Sequence, residues 1–263
     1  MRLALAQMHM RNNLNENYKS SLSFIEQASS CDVLLFPRLQ LTPYFPMYEG
    51  IDASAGLSRL NDARIKGMEY QAGKHGLYIS ANVYMETDGR RYNTGLWFDR
   101  NGSSGPMSGM RYPVDMEGMY QSSCFAPWKK EPEVYTTGYG KVGVVIGSDR
   151  HDPASIRICR LKGASLVLIP CAVYSHEDMN LYVQELCAAA YQNRVFIALC
   201  NRTGKEGAFT FSGKSVVVGP DGRVIEQADQ EEGLLKVNID LKQADEVRKE
   251  YDFLSYVYKE KQA

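Results

Sequence analysis

The sequence predicts an α/β domain with two sheets inside and helices outside. Three observations carry this. Short runs rich in β-branched and apolar residues alternate with longer segments of helical periodicity. Several strand pairs are joined by tight Asp-Gly or Asn-Gly turns, so part of the sheet is antiparallel. Finally, no internal repeat, low-complexity tract or linker interrupts the 263 residues, so 1–263 reads as a single domain, a size that α/β barrels and sandwiches reach.

The elements follow in order. Residues 3–7 form an apolar run suited to a buried strand, and the polar stretch Asn12-Asn13-Leu14-Asn15 turns the chain. Residues 15–29 read as a helix, with Tyr18, Leu22, Ile25 and Ala28 at helical spacing. A second strand, 32–37, closes at Pro37. Residues 59–75 are helical, and Gly76 stands where a left-handed glycine ends a helix. Strand 77–84 turns at Asp88-Gly89 into strand 91–98, and Asn101-Gly102 makes a further turn. The alternation then resumes: strand 141–146, helix 155–162, strand 165–169, helix 181–192 and strand 195–200. Residues 213–218 and 224–227 pair across Pro220-Asp221-Gly222. A last short strand, 237–239, precedes a charged tail.

Composition excludes some functions. Thirty basic residues stand against 31 acidic ones, for a net charge of −1, and short runs such as Lys129-Lys130 read as solvated surface. Neither nucleic acid nor an anionic membrane is implied as a partner. The six cysteines form no CxxC pair and no metal-like spacing with histidine, so neither a metal nor a cofactor is expected. No apolar run approaches the ~18 residues that span a bilayer, and the N-terminus lacks a signal-peptide core. Free thiols point to a reducing cytoplasm.

Several segments, in this order, resemble the nitrilase (carbon–nitrogen hydrolase) superfamily, and most closely its N-carbamoyl-amine amidase branch. They are Val33-Leu-Leu-Phe-Pro37, Lys141-Val-Gly-Val-Val-Ile146, Gly163-Ala-Ser-Leu-Val-Leu-Ile-Pro170, Gln192-Asn-Arg-Val-Phe196, Cys200-Asn-Arg202, Ser212-Gly-Lys-Ser215 and Gly219-Pro-Asp-Gly222. Each is weak alone; the ordered set runs nearly end to end. The resemblance implies a four-layer α-β-β-α sandwich and a homo-oligomer, a dimer or larger. It also implies chemistry in which a cysteine thiolate attacks the carbon, a glutamate serves as base, a lysine stabilises the oxyanion and a second glutamate supports the lysine.

At those four positions this sequence departs from the family. The base glutamate directly follows the strand-ending proline, where Arg38 stands; a guanidinium stays protonated and accepts no proton. Aligning Gly102-Ser103 with the family's glycine-rich turn puts Met110 at the lysine, with Arg111 beside it. Counting back from Phe125 and Pro127 puts Gln121 at the second glutamate. The nucleophile follows Gly143-Val-Val-Ile146, and that place is Gly147, with no side chain; Pro153 and Arg157 keep the register of the next helix. The tetrad positions are thus Arg38, Met110, Gln121 and Gly147, none carrying its catalytic group.

This pattern is expected of a pseudoenzyme that binds a small anionic ligand or an active paralogue. Two alternatives stay open: a hydrolase with a non-standard nucleophile, and a scaffold with a closed pocket. Ser148 lies one residue beyond the nucleophile position, and consecutive side chains there point apart. His151 follows three residues on, but closeness in sequence does not make a catalytic pair. Cys171 and Cys124 are the thiols placed to react if an arginine lowers their pKa. Arg38, Arg111, Ser148, Asp149 and Cys171 are the residues expected to line any pocket. Arg38 itself has two fates: binding an anion bidentately, or internal neutralisation by Asp149, Asp115 or Glu117. The aromatic cluster Tyr44, Phe45, Pro46 and Tyr48 belongs either to a pocket mouth or to a dimer contact.

Overall fold

The computed structural model of the chain describes residues 1–174 and 178–255. The first half contains β1 (Arg2–Gln7), α1 (Leu14–Gln27), β2 (Val33–Leu35), α2 (Ala63–His75), β3 (Tyr78–Thr87), β4 (Arg90–Phe98) and β5 (Ser108–Gly109). The short strands β6 (Asp115–Met116) and β7 (Met119–Tyr120) and the single turn α3 (Gln121–Cys124) lead into the second half. There β8 (Val134–Thr137), β9 (Gly140–Val144), α4 (Pro153–Leu161), β10 (Leu166–Pro170), α5 (Met179–Asn193) and β11 (Phe196–Cys200) follow. Beyond them come the hairpin β12 (Thr203–Glu206) and β13 (Phe209–Ser212), then β14 (Val216–Val218), β15 (Val224–Gln227), β16 (Gly233–Asn238) and α6 (Lys242–Glu250).

Two six-stranded sheets result, in the orders β16-β1-β2-β3-β4-β5 and β15-β14-β11-β10-β9-β8. Each has a parallel centre, β1-β2-β3 or β9-β10-β11, with antiparallel strands on both flanks. Alternation along the central strands sets the layers. Leu3, Leu5, Val33 and Leu35 face Val142, Val144, Leu166, Leu168, Phe196 and Ala198 in the core between the sheets. Ala4, Ala6 and Leu34 face outward onto Phe24 and Ile25 of α1 and Ile65, Met68 and Ala72 of α2. Val167, Ile169, Ile197 and Leu199 likewise meet Ile156 and Cys159 of α4 and Leu186 and Ala190 of α5. The outcome is the four-layer α-β-β-α sandwich, each fully buried Leu, Ile or Val contributing about 1.5–3 kcal/mol.

Local chemistry sets the ends of the elements. Asn13 caps α1 by accepting from the N–H groups of Asn15 and Glu16. Asp62 caps α2, which therefore starts at Ala63 and not at the expected residue 59, and Gly76 ends it at φ 61°. Asp152 caps α4 with Pro153 in its first turn, two residues before the expected start. The β14–β15 hairpin forms across Pro220-Asp221-Gly222 as expected, with a bulge between Val217 and Val218. Strands β8, β12 and β13 were not legible, and the charged tail holds α6. Among the described residues no helix is long and apolar enough to cross a membrane.

Candidate functional site

The parallel centres of both sheets end at the same side, and loops leaving those carboxyl ends meet in the crevice where α/β folds place ligands. Arg38 leaves β2 after Phe36-Pro37, and its backbone N–H donates to the carbonyl of Cys171, beyond β10, at 3.1 Å. That bond ties one sheet to the other at the floor of the crevice. Leu39 continues at φ 55° with its N–H on Asn82 Oδ1 at 2.7 Å, so the turn is fixed on both sides of Arg38.

The four positions that the resemblance aligned with the tetrad converge on one guanidinium. Arg38 Nη2 donates to Gln121 Oε1 at 3.1 Å and to Met110 Sδ at 3.3 Å. Its Nη1 donates to the hydroxyl of Tyr44 at 3.3 Å. Asn93, with its carboxamide oxygen turned inward, accepts from Nε and from Nη2 (3.1 Å) and donates to Asn82 Oδ1 at 2.7 Å. The rings of Tyr44 and Phe125 lie 5.6 Å from the guanidinium carbon, within cation–π range. Gly147 completes the seat: a Cβ built there meets Arg38 Nη1 at 3.2 Å, Cδ at 3.3 Å and Nε at 3.4 Å. Arg38 thus overlies the spot where any side chain at 147 would stand, and it is 2% exposed.

The expected internal neutralisation of Arg38 takes another form. Among the described residues no carboxylate pairs with it within 4.0 Å. Asp115 instead accepts from the N–H and hydroxyl of Ser122, and Glu117 is exposed. Asp149 takes the backbone N–H groups of Arg111 (2.8 Å) and Tyr112 (2.9 Å). Burial pushes the Asp149 carboxyl up to about 6, against the pull of those two N–H donors and of Arg38 and Arg111. Its attraction to Arg38 therefore acts through space, while neutral oxygens, a sulfur and two rings solvate the guanidinium directly. Such an arrangement can hold a buried charge because each of the three guanidinium nitrogens meets at least one acceptor.

The other expected lining residues scatter. The Arg111 guanidinium lies over the Tyr112 ring at 4.9 Å and 3.9 Å from Asp152, so it does not stand in for a lysine at Met110. Ser148 donates to the carbonyl of Tyr112 at 3.0 Å, which commits its proton to a backbone acceptor. His151 pairs with Glu185 of α5 at 2.7 Å. Cys171 is buried with its sulfur 3.3 Å from Arg150 Nη1, and Arg150 also reaches Glu185 at 3.4 Å. Burial raises the Cys124 thiol, with Arg38 and Ser123 pulling it back.

Sequence reasoning left several participants unnamed. Tyr44 was only one of an aromatic cluster; it proves to be buried between Arg38 and Phe211, while Phe45 packs on Tyr84 and Phe125. Asn93 sits mid-strand with no signal beyond being an amide in an apolar strand. Arg202, fully buried, pairs with Glu206 at 3.2 Å and donates to the carbonyls of Leu39 (3.1 Å) and Thr42 (2.9 Å). Its place at a strand end, in Cys200-Asn-Arg202, was the available hint. A cavity of about 830 Å³ lies on the far side of Tyr44; Arg38, Met110, Gln121 and Gly147 are not among its lining residues.

Fold and chain order together give the protein the α-β-β-α sandwich architecture of the carbon-nitrogen hydrolase family. Residues 2–249 match the carbon-nitrogen hydrolase family, and the chain belongs to that family. It is 29% identical over 242 residues to the 2-oxoglutaramate amidase of Bacillus subtilis, covering 89% of this chain and 88% of that one. It is 26% identical over 253 residues to the citrullinase of Francisella tularensis, covering 88% and 85%. Among solved structures, the NitN amidase of a Nesterenkonia species superposes with a TM-score of 0.81 at 26% identity, covering 95% of this chain and 97% of that one. A carbon-nitrogen hydrolase from Helicobacter pylori superposes at 0.87 with 23% identity, covering 97% and 94%, a likeness of fold.

Proposed function

We propose that this chain is a non-hydrolytic member of the carbon-nitrogen hydrolase family, its old catalytic centre filled by its own arginine. The observation that carries this is the seat of Arg38, with Nη1 at 3.2 Å from where a Cβ at Gly147 would stand. One variant of the Nesterenkonia amidase carries, in two structures, acrylamide or the acetamide moiety of fluoroacetamide on its active-site cysteine. By the order of the motifs, the matching place in this chain is Gly147. With no side chain there, a guanidinium where a base is needed and no cation at Met110, no set of the described residues in the crevice supplies nucleophile, base and oxyanion partner together.

The enclosure of Arg38 favours a partner or scaffold role over capture of an anion at that spot. A homodimer, or assembly with an active relative, is part of this reading. Its support is the exposed apolar side chains on α5 and at the end of α6, where Leu181 is 64% exposed and Tyr191 and Tyr251 are also exposed. The reading places the protein in the cytoplasm, where its cysteines stay reduced; none of the six is in a disulfide.

One observation favours a hydrolase of altered chemistry. Arg150 Nη1 contacts Cys171 Sγ at 3.3 Å, the kind of cationic neighbour that promotes a thiolate. A single experiment separates the two. Ammonia release from primary amides and N-carbamoyl amines is measured for the wild type, for Gly147→Cys and for a variant combining Arg38→Glu, Met110→Lys, Gln121→Glu and Gly147→Cys. The proposal expects no release by the wild type or by Gly147→Cys, and release only when all four positions change together. Wild-type turnover that disappears in Cys171→Ala overturns it.

A further inference from the structure

We propose that the cavity beside Tyr44 is a preformed site for an uncharged, apolar small molecule, held by burial of surface and not by hydrogen bonds. The inference is independent of whether the chain hydrolyses anything, since none of the four positions around Arg38 lines the cavity. It assigns Tyr44, Phe45 and Tyr48 to a pocket wall, one of the two places the sequence leaves open for them.

The cavity, about 830 Å³, lies between the turn joining β1 to α1, the 42–56 loop and the β12–β13 hairpin. Pockets of roughly 300–1,000 Å³ with apolar and aromatic walls are the usual form of a small-molecule site. Met10, Tyr44, Phe45 and Met47 line it and are buried in the fold. Tyr48 and Ile51 also line it but are 49% and 42% exposed. A ligand seated there covers large apolar side chains that now face water, which is the driving force for its binding.

The walls are tied to one another. Tyr44 donates its backbone N–H to Glu206 Oε2 at 2.8 Å. Arg202 donates to Glu206 Oε2 at 3.2 Å and to the Thr42 carbonyl at 2.9 Å. At the hairpin turn Gly207 adopts φ 57°, and a Cβ there would stand 2.5 Å from the Tyr48 hydroxyl and 2.9 Å from Met47 Sδ. The hairpin thus packs directly on the 42–56 loop, and the cavity needs no rearrangement to exist.

Charge decides the class of ligand. Every Asp, Glu, Arg and Lys lining the cavity is either exposed or ion-paired. Glu16, Asp52 and Lys205 are exposed. Arg11 pairs with Glu232 at 3.0 Å, and Glu206 with Arg202 at 3.2 Å. Exposed charges are screened by water and select weakly, and the paired ones already face an opposite charge. Thr42 Oγ1 and Glu206 Oε1 are buried out of reach and offer a ligand nothing. An ion entering from water would lose hydration against apolar walls with no counter-charge in return. An uncharged apolar molecule gains from the same burial.

The test is fluorescence titration of the full chain with N-phenyl-1-naphthylamine, which is uncharged, and with 8-anilino-1-naphthalenesulfonate, the same skeleton carrying a sulfonate. A saturable one-site rise is expected for the uncharged probe, with an affinity roughly tenfold or more above that for the sulfonate. Ile51→Asp, which puts a charge on an exposed wall residue, should weaken it about tenfold. Ala55→Trp, at an exposed lining position, should abolish it by filling the cavity. Leu181→Asp, on the exposed side of α5, should leave it unchanged. No saturable binding, equal affinity for the two probes, full affinity in Ile51→Asp or Ala55→Trp, or loss in Leu181→Asp overturns the proposal. So does an affinity that falls as protein concentration rises, which would put a second copy of the chain in the cavity.

Discussion

Gly147 and Arg38 form a complementary pair in which each residue type makes sense only with the other. Gly147 adopts φ 56°, a left-handed conformation that favours glycine, and its missing Cβ leaves room for the Arg38 side chain at 3.2–3.4 Å. Gly147→Ala is therefore expected to destabilise the fold by about 2–4 kcal/mol, the sum of left-handed strain and overpacking, read as a lowered denaturation midpoint. In an Arg38→Ala background the overpacking part should vanish. A second prediction concerns Asp149, whose carboxyl is raised from the usual 3.8 to about 6 by burial. A carboxyl raised on folding stabilises most below its unfolded pKa, and that contribution is lost as pH climbs through the folded value. Between pH 4 and 7 the stability advantage of wild type over Asp149→Asn should shrink by up to about 3 kcal/mol. Denaturant unfolding of both proteins across that range checks it, and a flat or growing difference contradicts the environment assigned to Asp149.

At the scale of elements, much was legible because caps and turns are written in single residues. Asp88-Gly89, Gly76 and Pro220-Asp221-Gly222 each marked a boundary the structure keeps, while α1 starts one residue before the expected residue 15, capped by Asn13. Asn13→Ala should cost about 1 kcal/mol of stability through the N–H groups of Asn15 and Glu16, measured by thermal or denaturant unfolding. What stayed hidden were elements whose pattern comes from their neighbours. The β12–β13 hairpin, Thr-Gly-Lys-Glu against Phe-Thr-Phe-Ser, has little hydrophobic alternation and is held by Arg202 and Glu206 from within. The convergence of Met110 and Gln121 on Arg38 was only partly legible. Ordered motifs supplied the positions, but the seat of the guanidinium depends on Tyr44, Asn93 and Phe125, and long-range contacts of that kind leave no local pattern. The same limit applied to the Arg38 counter-ion, where a carboxylate was expected and amide, hydroxyl, thioether and aromatic groups do the solvating.

For the molecule as a whole, the two sheets keep the family's core while the crevice between their carboxyl ends is filled from inside. The uncovered apolar side chains of α5 belong to the assembly reading. Leu181→Asp, replacing a 64% exposed leucine, should convert a dimer to monomers in light scattering with the circular dichroism spectrum unchanged. A dimer that persists would move the interface elsewhere. The central claim, that this fold carries no hydrolytic centre, is tested most directly by prolonged incubation of the wild type at high enzyme concentration with amides and N-carbamoyl amines, following ammonia. No release above the buffer blank is the expected result. Release that saturates with substrate and is lost in Ser148→Ala or Cys171→Ala would contradict the account.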